Sequence, residues 1–289
     1  MRTPRTVAIT AAVAATVAPL LAIATPASAQ QSTETTKSVQ NLPVLDWLSL
    51  DSLNPTEQLK KVKQLLGTGY VPEALSVTNA ANPQYTSVWI KDATRKVSVL
   101  QGLSATDLPT RITEQAKSGF VPTMITGTGS GPGAIFAAVF EKTTEKVQSK
   151  LNMTKDVFAS VNAQLSAAGF SVASLDVYGT VEKPLYAAVW VAGAATGTVQ
   201  VTTGQTVEQR GKELLAKTKA GLRPVLMAVE PGKLYTTVWS KGSATGLKEY
   251  LNLSKLTYTL KATELKALGY RPEVLDTEGS TIAAIWSKG

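Results

Sequence analysis

The chain of 289 residues contains neither cysteine nor histidine. Without histidine, Ser-His-Asp and Cys-His catalysis are excluded, because both use an imidazole as the general base. The common zinc sites are excluded as well, since their ligands are mainly cysteine and histidine. Without cysteine there are no disulfides, so an exported form must obtain its stability from buried surface. We predict no catalytic residue, no metal ligand and no cofactor in this chain.

A concentrated basic patch is also missing, although the formal net charge is +8. Nucleic-acid-binding proteins usually gather Lys and Arg on one face. Here these residues are scattered, and the densest group (Lys60, Lys61 and Lys63) falls on one predicted helix as a solvated face. The charge pattern therefore argues against a nucleic-acid partner.

The only long apolar run lies at the N-terminus. Arg2 and Arg5 begin the chain, residues 7–24 are rich in Ala and Val, and Ala27 and Ala29 then form an A-x-A-like cleavage site. This order is typical of a secretory signal peptide, which we assign to residues 1–29. A retained membrane anchor is the alternative, because the run has about the minimum length of a span. We expect cleavage, an extracellular location and no membrane span in the mature chain.

Two short patterns recur five times in the rest of the chain. The first is Gly, usually followed by an aromatic residue and by Pro three positions after the glycine. The second is an aromatic residue or Ile, two small residues, Val or Ile, and an aromatic residue. Successive glycines of the first pattern lie 50, 50, 52 and 48 residues apart, which indicates a tandem repeat. The residues that define it are Gly69, Pro72, Tyr85, Trp89; Gly119, Pro122, Phe136, Phe140; Gly169, Tyr186, Trp190; Gly221, Pro224, Tyr235, Trp239; and Gly269, Pro272, Ile282, Trp286.

Each unit opens with a helical pattern. In the first unit Pro55 stands near the start, and Val62, Leu65 and Leu66 fall on one face. The glycine ends the helix at C′, and the proline prevents its continuation. A hairpin of two strands follows, joined by a turn rich in Gly, Pro and Asn. Four units have room for a third strand, which in the first unit covers residues 97–101.

The predicted fold is therefore α+β, with five units of about 50 residues stacked into a curved or closed array. The units are 54–103, 104–153, 154–204, 205–253 and 254–289, and each is a helix followed by two or three strands. Before them, residues 30–53 contain a polar disordered leader (30–41) and an extra apolar strand (42–50). One hypothesis is that this strand pairs with the last unit, which lacks a third strand, and so removes an open sheet edge. The alternative is that it only caps the first helix and the array stays open.

The order of helix, Gly-aromatic-Arg-Pro, strand, turn, Tyr-Ala-Ala-Val-Trp and strand resembles the bacterial tandem repeat of polyglycine hydrolase-like proteins. The resemblance covers roughly residues 54–289, with departures such as Val71 and Val121 in place of Arg and Ser171-Val172 in place of Arg-Pro. It implies a non-catalytic repeat region, because in such enzymes the chemistry belongs to a separate serine hydrolase domain with a Ser-x-x-Lys motif. No serine in this chain is followed by Lys three positions later. No catalytic residue is therefore carried over.

Other candidate sites have structural explanations. Arg223 and Arg271 are possible ligand-binding residues for an anion, although an arginine beside a helix end often only satisfies last-turn carbonyls. The carboxylate pairs Asp276 with Glu278 and Glu141 with Glu145 would suit glycoside hydrolysis by proximity alone, but a solvated turn or strand end explains each pair. The glycine-rich segment 127–133 lies between predicted strands and is interpreted as a hairpin loop rather than a phosphate loop.

The recurring aromatic residues allow two interpretations. They either fill the seams between units or form an exposed row for a glycan or an extended peptide, and the regular recurrence favours the seams. The leading functional hypothesis is a secreted, non-catalytic binding or scaffold module for an extracellular protein or a cell-wall polysaccharide. The alternatives are an accessory or cryptic member of the polyglycine hydrolase-like serine hydrolases and a structural surface-layer component.

Overall fold

The computed structural model describes residues 47–193 and 199–288. The predicted signal peptide, the predicted leader and residues 42–46 lie outside the described residues. Within them the chain forms five helices and five three-stranded antiparallel sheets, which confirms the α+β fold of repeated units. The helices are α1 (Pro55–Gly67), α2 (Asp107–Lys117), α3 (Lys155–Ala167), α4 (Val207–Lys219) and α5 (Lys255–Ala267). The strands are β1 (Trp47–Leu53), β2 (Tyr70–Thr78), β3 (Gln84–Lys91), β4 (Val97–Leu103), β5 (Phe120–Thr128), β6 (Ile135–Lys142), β7 (Val147–Met153), β8 (Phe170–Gly179), β9 (Pro184–Ala192), β10 (Gln200–Gln205), β11 (Leu222–Glu230), β12 (Leu234–Lys241), β13 (Lys248–Leu253), β14 (Tyr270–Glu278) and β15 (Thr281–Lys288).

Every sheet has the same strand order. In the first unit β3 lies between β1 and β2, and the other four sheets repeat this arrangement. The central strand always carries the repeated aromatic pattern. The first strand comes from the residues before the helix, and the other two form the hairpin after it.

This topology corrects the assignment of one strand in each of the first four predicted units. The predicted third strand at 97–101 is β4, which pairs with β6 of the following unit. Each structural unit, defined as the residues of one sheet and its helix, therefore begins one strand earlier than the predicted unit, which began at the helix. These structural units are 47–91, 97–142, 147–192, 200–241 and 248–288. The hypothesis that residues 42–50 pair with the last unit is wrong for the described residues 47–50, because β1 pairs with β3 and the fifth sheet already has three strands. A periodic sequence does not mark where its unit begins.

The helices begin and end as the residue types predict. Four helices start at a polar residue whose side chain accepts a backbone N–H of the first turn, and in α2 Ser104 Oγ accepts from Asp107 N at 3.0 Å. Each helix is followed by the glycine of the first pattern in the left-handed conformation, with φ of 79° at Gly69 and 80° at Gly269. The four capping residues are Asn54, Thr154, Thr206 and Ser254.

A β-bulge interrupts the first strand of every sheet. The bulged residue has φ between 52° and 68° and sits at the shift of register, as at Ser52 between Leu50 and Leu53. Two of the five are glycine and two are asparagine, the residues that best tolerate this conformation. The bulges are Ser52, Gly102, Asn152, Gly204 and Asn252.

The aromatic pattern contacts two different neighbours because its side chains alternate between the faces of the strand. Its fifth residue packs under the helix of its own unit, as Trp89 does against Val62 and Leu65. Its fourth residue packs against the preceding unit, as Val139 does against Val77. The aromatic side chains of the pattern are buried, so they form no exposed row.

Five apolar clusters hold successive units together. Tyr85 and Val139 share a cluster between the first and second units, and equivalent clusters join the second to the third, the third to the fourth and the fourth to the fifth. A further cluster joins the last unit to the first, with Trp47 and Val88 packed against Trp286. In this cluster Trp47 Nε1 donates to Tyr270 O at 3.0 Å. The strands β2, β5, β8, β11 and β14 contact one another in this order, and β14 also contacts β2.

We expect Trp47→Ala to lower the free energy of unfolding by about 3–5 kcal/mol, because it leaves a cavity between the first and last units. Leu256→Ala is the matched control, since Leu256 is 68% exposed and its truncation costs about 0.5 kcal/mol or less. Urea unfolding of both variants measures the difference. Equal stability of the two variants would show that β1 does not pack against the last unit.

Candidate functional site

In chain order, the second strands of the five sheets are β2, β5, β8, β11 and β14. At one equivalent position of the repeat, four of these five strands carry a polar side chain. The side chains are Ser76, Thr126, Asp176 and Asp276, with Ala228 in the fourth unit, and all five are buried. They belong to strands that are otherwise largely apolar. Since a buried polar side chain needs a hydrogen-bond partner, each must be paired within the fold.

Each of these polar side chains accepts a backbone N–H from the preceding unit. Thr126 Oγ1 accepts from Val77 N at 3.1 Å, and Asp176 Oδ2 accepts from Gly127 N at 2.7 Å. Asp276 Oδ2 accepts from Val229 N at 2.7 Å. The same bond joins the last unit to the first, where Ser76 Oγ accepts from Thr277 N at 3.1 Å. Ala228 has no such acceptor, so this bond is missing between the third and fourth units.

Two of these carboxyl groups meet each other. Asp176 and Asp276 are hydrogen-bonded through their side chains, and both are buried. Burial raises the pKa of Asp176 well above its usual range, and the charge of Asp276 raises it further. The pKa of Asp276 is raised to about 7, mainly by burial. The hydrogen bond between them raises the pKa of Asp176 and lowers that of Asp276, so Asp176 is the donor of the pair and Asp276 the acceptor.

A third carboxyl group lies two residues further along β14. Glu278 is half-buried, and burial together with the charge of Asp276 raises its pKa to about 7. Within the described part of the chain it makes no hydrogen bond. It lines a cavity of about 740 Å³ at the hairpin turns, between the first and last units. The cavity is also lined by Asp51, Thr78, Thr86, Thr128 and Lys255.

The cavity is lined by both polar and apolar groups, and most of its lining belongs to the units at the two ends of the array. Asp51 Oδ1 accepts from Thr86 Oγ1 at 3.1 Å, and Asp51 Oδ2 lies 3.5 Å from Lys255 Nζ. Lys255 is 63% exposed at the rim. A volume of this size is within the range of small-molecule sites, which are usually a few hundred cubic ångströms.

The arginines predicted as ligand-binding residues lie elsewhere. Arg223 is on β11, and its Nη2 pairs with Glu273 Oε2 on β14 at 2.9 Å, which joins the fourth and fifth units. Arg271 is at the start of β14, about 23 Å along the strand from Glu278. The structure therefore does not bring either arginine to the cavity.

One member of each carboxylate pair considered from the sequence has partners of its own in the fold. Glu141 accepts two hydrogen bonds from Arg95, at 3.0 and 2.8 Å. Asp276 is held by Val229 N and Ser76 Oγ and is 5% exposed, so it does not meet solvent as a catalytic acid would. The segment 127–133 forms the end of β5 and most of the hairpin loop that leads to β6, which confirms the hairpin interpretation.

Sequence reasoning missed Asp51, Ser76 and Asp176. A signal was present for two of them, because Ser76 and Asp176 occupy the same position of the repeat inside buried strands. Asp51 precedes a bulge that the hydrophobic pattern does not reveal. No group of three or more potential metal ligands occurs among the described residues, and none of the described helices is long and apolar enough to span a membrane.

A protein-family model described as "Polyglycine hydrolase-like, structural repeat" matches the chain four times. The matched residues are 46–92, 97–143, 145–192 and 244–289, which together cover more than half of the chain. The four matches begin one residue before β1, at the first residue of β4, two residues before β7 and four residues before β13. The family therefore counts its repeat from the same strand as the sheets do.

We expect Thr126→Val to lower the free energy of unfolding by about 1–3 kcal/mol, because the buried Val77 N–H loses its acceptor while the shape of the side chain is kept. Thr113→Val is the control, since Thr113 is exposed on α2. Chemical unfolding compares the two. A cost no larger at position 126 than at position 113 would rule out a stabilising role for this bond.

The carboxyl pair predicts a stability that falls as the pH rises. The folded-state pKa of Asp276, about 7, lies above its unfolded value of 3.8, so its contribution is complete below about pH 4 and is lost as the pH rises through about 7. We expect Asp276 alone to lower the free energy of unfolding by about 2–3 kcal/mol between pH 5 and pH 8, and the titration of Glu278 to add to this fall.

Asp176→Asn is expected to reduce this dependence. Asparagine keeps an acceptor for Gly127 N and a donor toward Asp276 but carries no titrating proton. The exposed Glu182→Gln in the hairpin between β8 and β9 is the control and should leave the slope unchanged. Thermal unfolding at several pH values measures all three proteins. A wild-type stability that is flat or rises between pH 5 and pH 8 contradicts the assignment of a shared proton.

Proposed function

The chain belongs to the family of polyglycine hydrolase-like structural repeats, and from this premise we propose that it is a secreted, non-catalytic scaffold that binds an extracellular partner. Its five units form one closed array, and its binding site is the cavity between the first and last units. The partner is a cell-wall polymer or an extracellular protein. The cavity is the observation that carries the proposal, because it is a depression of ligand size, lined by polar and apolar groups, that forms where the two ends of the array meet.

Closure is supported by the contacts between the two end units. The Ser76–Thr277 bond repeats there the bond that joins other neighbouring units, and Trp47 packs against Trp286 as part of a shared apolar cluster. Ser49 Oγ and Tyr258 OH add a hydrogen bond of 2.9 Å. An array that ended openly would leave these apolar and polar groups without partners, and uncovered apolar surface favours aggregation.

The absence of catalysis is supported by the chemistry of the cavity. Its carboxyl groups are not accompanied by histidine or cysteine, and no Ser-x-x-Lys motif occurs in the sequence. Asp276 and Asp176 are engaged with backbone N–H groups and are closed to solvent. Secretion is supported by the pattern of residues 1–29.

Purified residues 30–289 should sediment with isolated cell walls, or form a complex with a protein of the culture medium, in a saturable manner. The same preparation should not hydrolyse glycine-rich peptides or simple esters. Heat-denatured protein is the control for sedimentation. Turnover above a blank would favour the accessory or cryptic hydrolase instead, and a lack of both binding and turnover would overturn the binding role.

A further inference from the structure

The cavity exists because one seam lacks a tyrosine that the other seams have. The bulge N–H of the second unit is accepted by Tyr85 OH, and that of the fifth unit by Tyr235 OH at 3.0 Å. In the third unit Tyr178 OH accepts from Asn152 N at 3.0 Å. In every one of these cases an aromatic ring fills the space beside the bulge.

In the fourth unit the bulge N–H is accepted by a carboxylate instead of a tyrosine hydroxyl. Glu230 Oε1 accepts from Gly204 N at 2.8 Å and is bonded by the hydroxyl groups of Tyr186 and Thr236. Here too a tyrosine stands beside the bulge, and Glu230 is 3% exposed. The carboxylate is therefore part of the seam and is saturated.

At the seam between the last and first units, neither a tyrosine nor a glutamate accepts the bulge N–H. Ile282 occupies the position of Tyr85 and Tyr235, and Thr78 occupies the position of Tyr178. The bulge N–H of Ser52 is accepted by the short side chain of Thr86 at 3.3 Å. Ile282 and Thr78 both line the cavity, which thus occupies the space of the missing rings.

Three residues with oxygen-bearing side chains line this space from equivalent positions of neighbouring strands. Glu278 on β14, Thr78 on β2 and Thr128 on β5 line the cavity. None of the three makes a side-chain hydrogen bond within the described residues, in contrast to Tyr178 and Glu230 at the same position of the repeat. A ligand that donates hydrogen bonds would satisfy all three.

The charge around the cavity favours a cation. Lys255 is paired with Asp51, so the carboxylate of Glu278 has no cationic partner among the described residues. The start of α5 also borders the cavity, but Ser254 Oγ already accepts from Thr257 N at 3.2 Å. The described part of the chain has no group of three metal ligands, and the volume far exceeds that of a bare ion.

We propose that the cavity between the first and last units binds a primary ammonium group, held by Glu278 together with Thr78 and Thr128. An ammonium group has three N–H donors, which match one carboxylate and two hydroxyl acceptors. Its bond to the carboxylate is charge-assisted and therefore the strongest of the three. This inference rests on the proposed function and names the ligand chemistry of its site. The ammonium group belongs either to a small free amine or to an amine of a cell-wall peptide.

Calorimetric titration of residues 30–289 with 1,4-diaminobutane and with the peptide acetyl-Ala-Lys-Ala-amide tests the proposal. Saturable binding of either probe supports it, and the probe that binds more tightly identifies the source of the amine. The peptide with an acetylated lysine side chain is the control and should not bind, because its amide carries no charge. Absence of binding by both amines, or equal binding of the acetylated peptide, overturns the proposal.

Three variants locate the site. Glu278→Gln should weaken binding roughly tenfold or more, since a charge-assisted bond is lost. Ile282→Tyr should also weaken it, because the ring restores the seam found in other units and fills the cavity. Glu182→Gln removes an exposed carboxylate outside the cavity and should leave binding unchanged. Circular dichroism melts establish that each variant is folded. Unchanged affinity of folded Glu278→Gln overturns the assignment.

Sedimentation with cell walls separates this inference from the proposed function. If the wild-type protein sediments but neither amine binds, only the ammonium site is wrong. If amines bind and Glu278→Gln loses both amine binding and sedimentation, the site is the one that the scaffold uses. If neither amine binding nor partner binding is found, both proposals fail.

Discussion

The architecture depends on one hydrogen bond that is repeated between units, from a backbone N–H of one second strand to a side-chain oxygen of the next. The second strands do not form a common sheet, because each sheet has only three strands. Their inward N–H groups would otherwise be buried without partners, which costs about 1–3 kcal/mol each. Ser76, Thr126, Asp176 and Asp276 supply the acceptors. Because the acceptor of the first unit serves the last unit, the bond also sets the relation between the two ends of the described array.

Much of the fold could be predicted from the sequence because each unit repeats local signals. The glycine after each helix, the polar caps and the alternation of the aromatic pattern act within a few residues, so they are visible without an alignment. The pairing of β1 with β3 was not predictable in this way. A strand that lies between two hairpins in the chain can pair with the hairpin before it or with the hairpin after the next helix, and a periodic sequence is compatible with both pairings. The bulges at Ser52 and Asn152 were missed for a related reason, since they interrupt a strand without changing its hydrophobic pattern.

The cavity shows what comparison between units adds to the pattern. Ile282 fits the repeat pattern as an apolar residue, but it has no aromatic ring and no hydroxyl group. This difference matters because the hydroxyl groups of Tyr85 and Tyr235 accept a bulge N–H of the following unit. Similarly, Glu278 and Glu230 share a position, but only Glu230 has the partners that saturate it. From the sequence alone, Glu278 is one half of a carboxylate pair with Asp276. The structure instead separates a buried structural carboxyl group from one that faces a cavity.

The direct test of the central claim is a cross-link between the first and last units. The chain has no cysteine, so Ser76→Cys with Thr277→Cys introduces a single pair at positions whose oxygen atoms lie 2.8 Å apart. On oxidation we predict an intramolecular disulfide that appears in the monomer and is found by mass spectrometry of the unreduced digest. A pair of Ser76→Cys with Ser149→Cys, in the third unit, should not form one. Free thiols, or only cross-linked dimers, at positions 76 and 277 would contradict the contact between the two ends of the array.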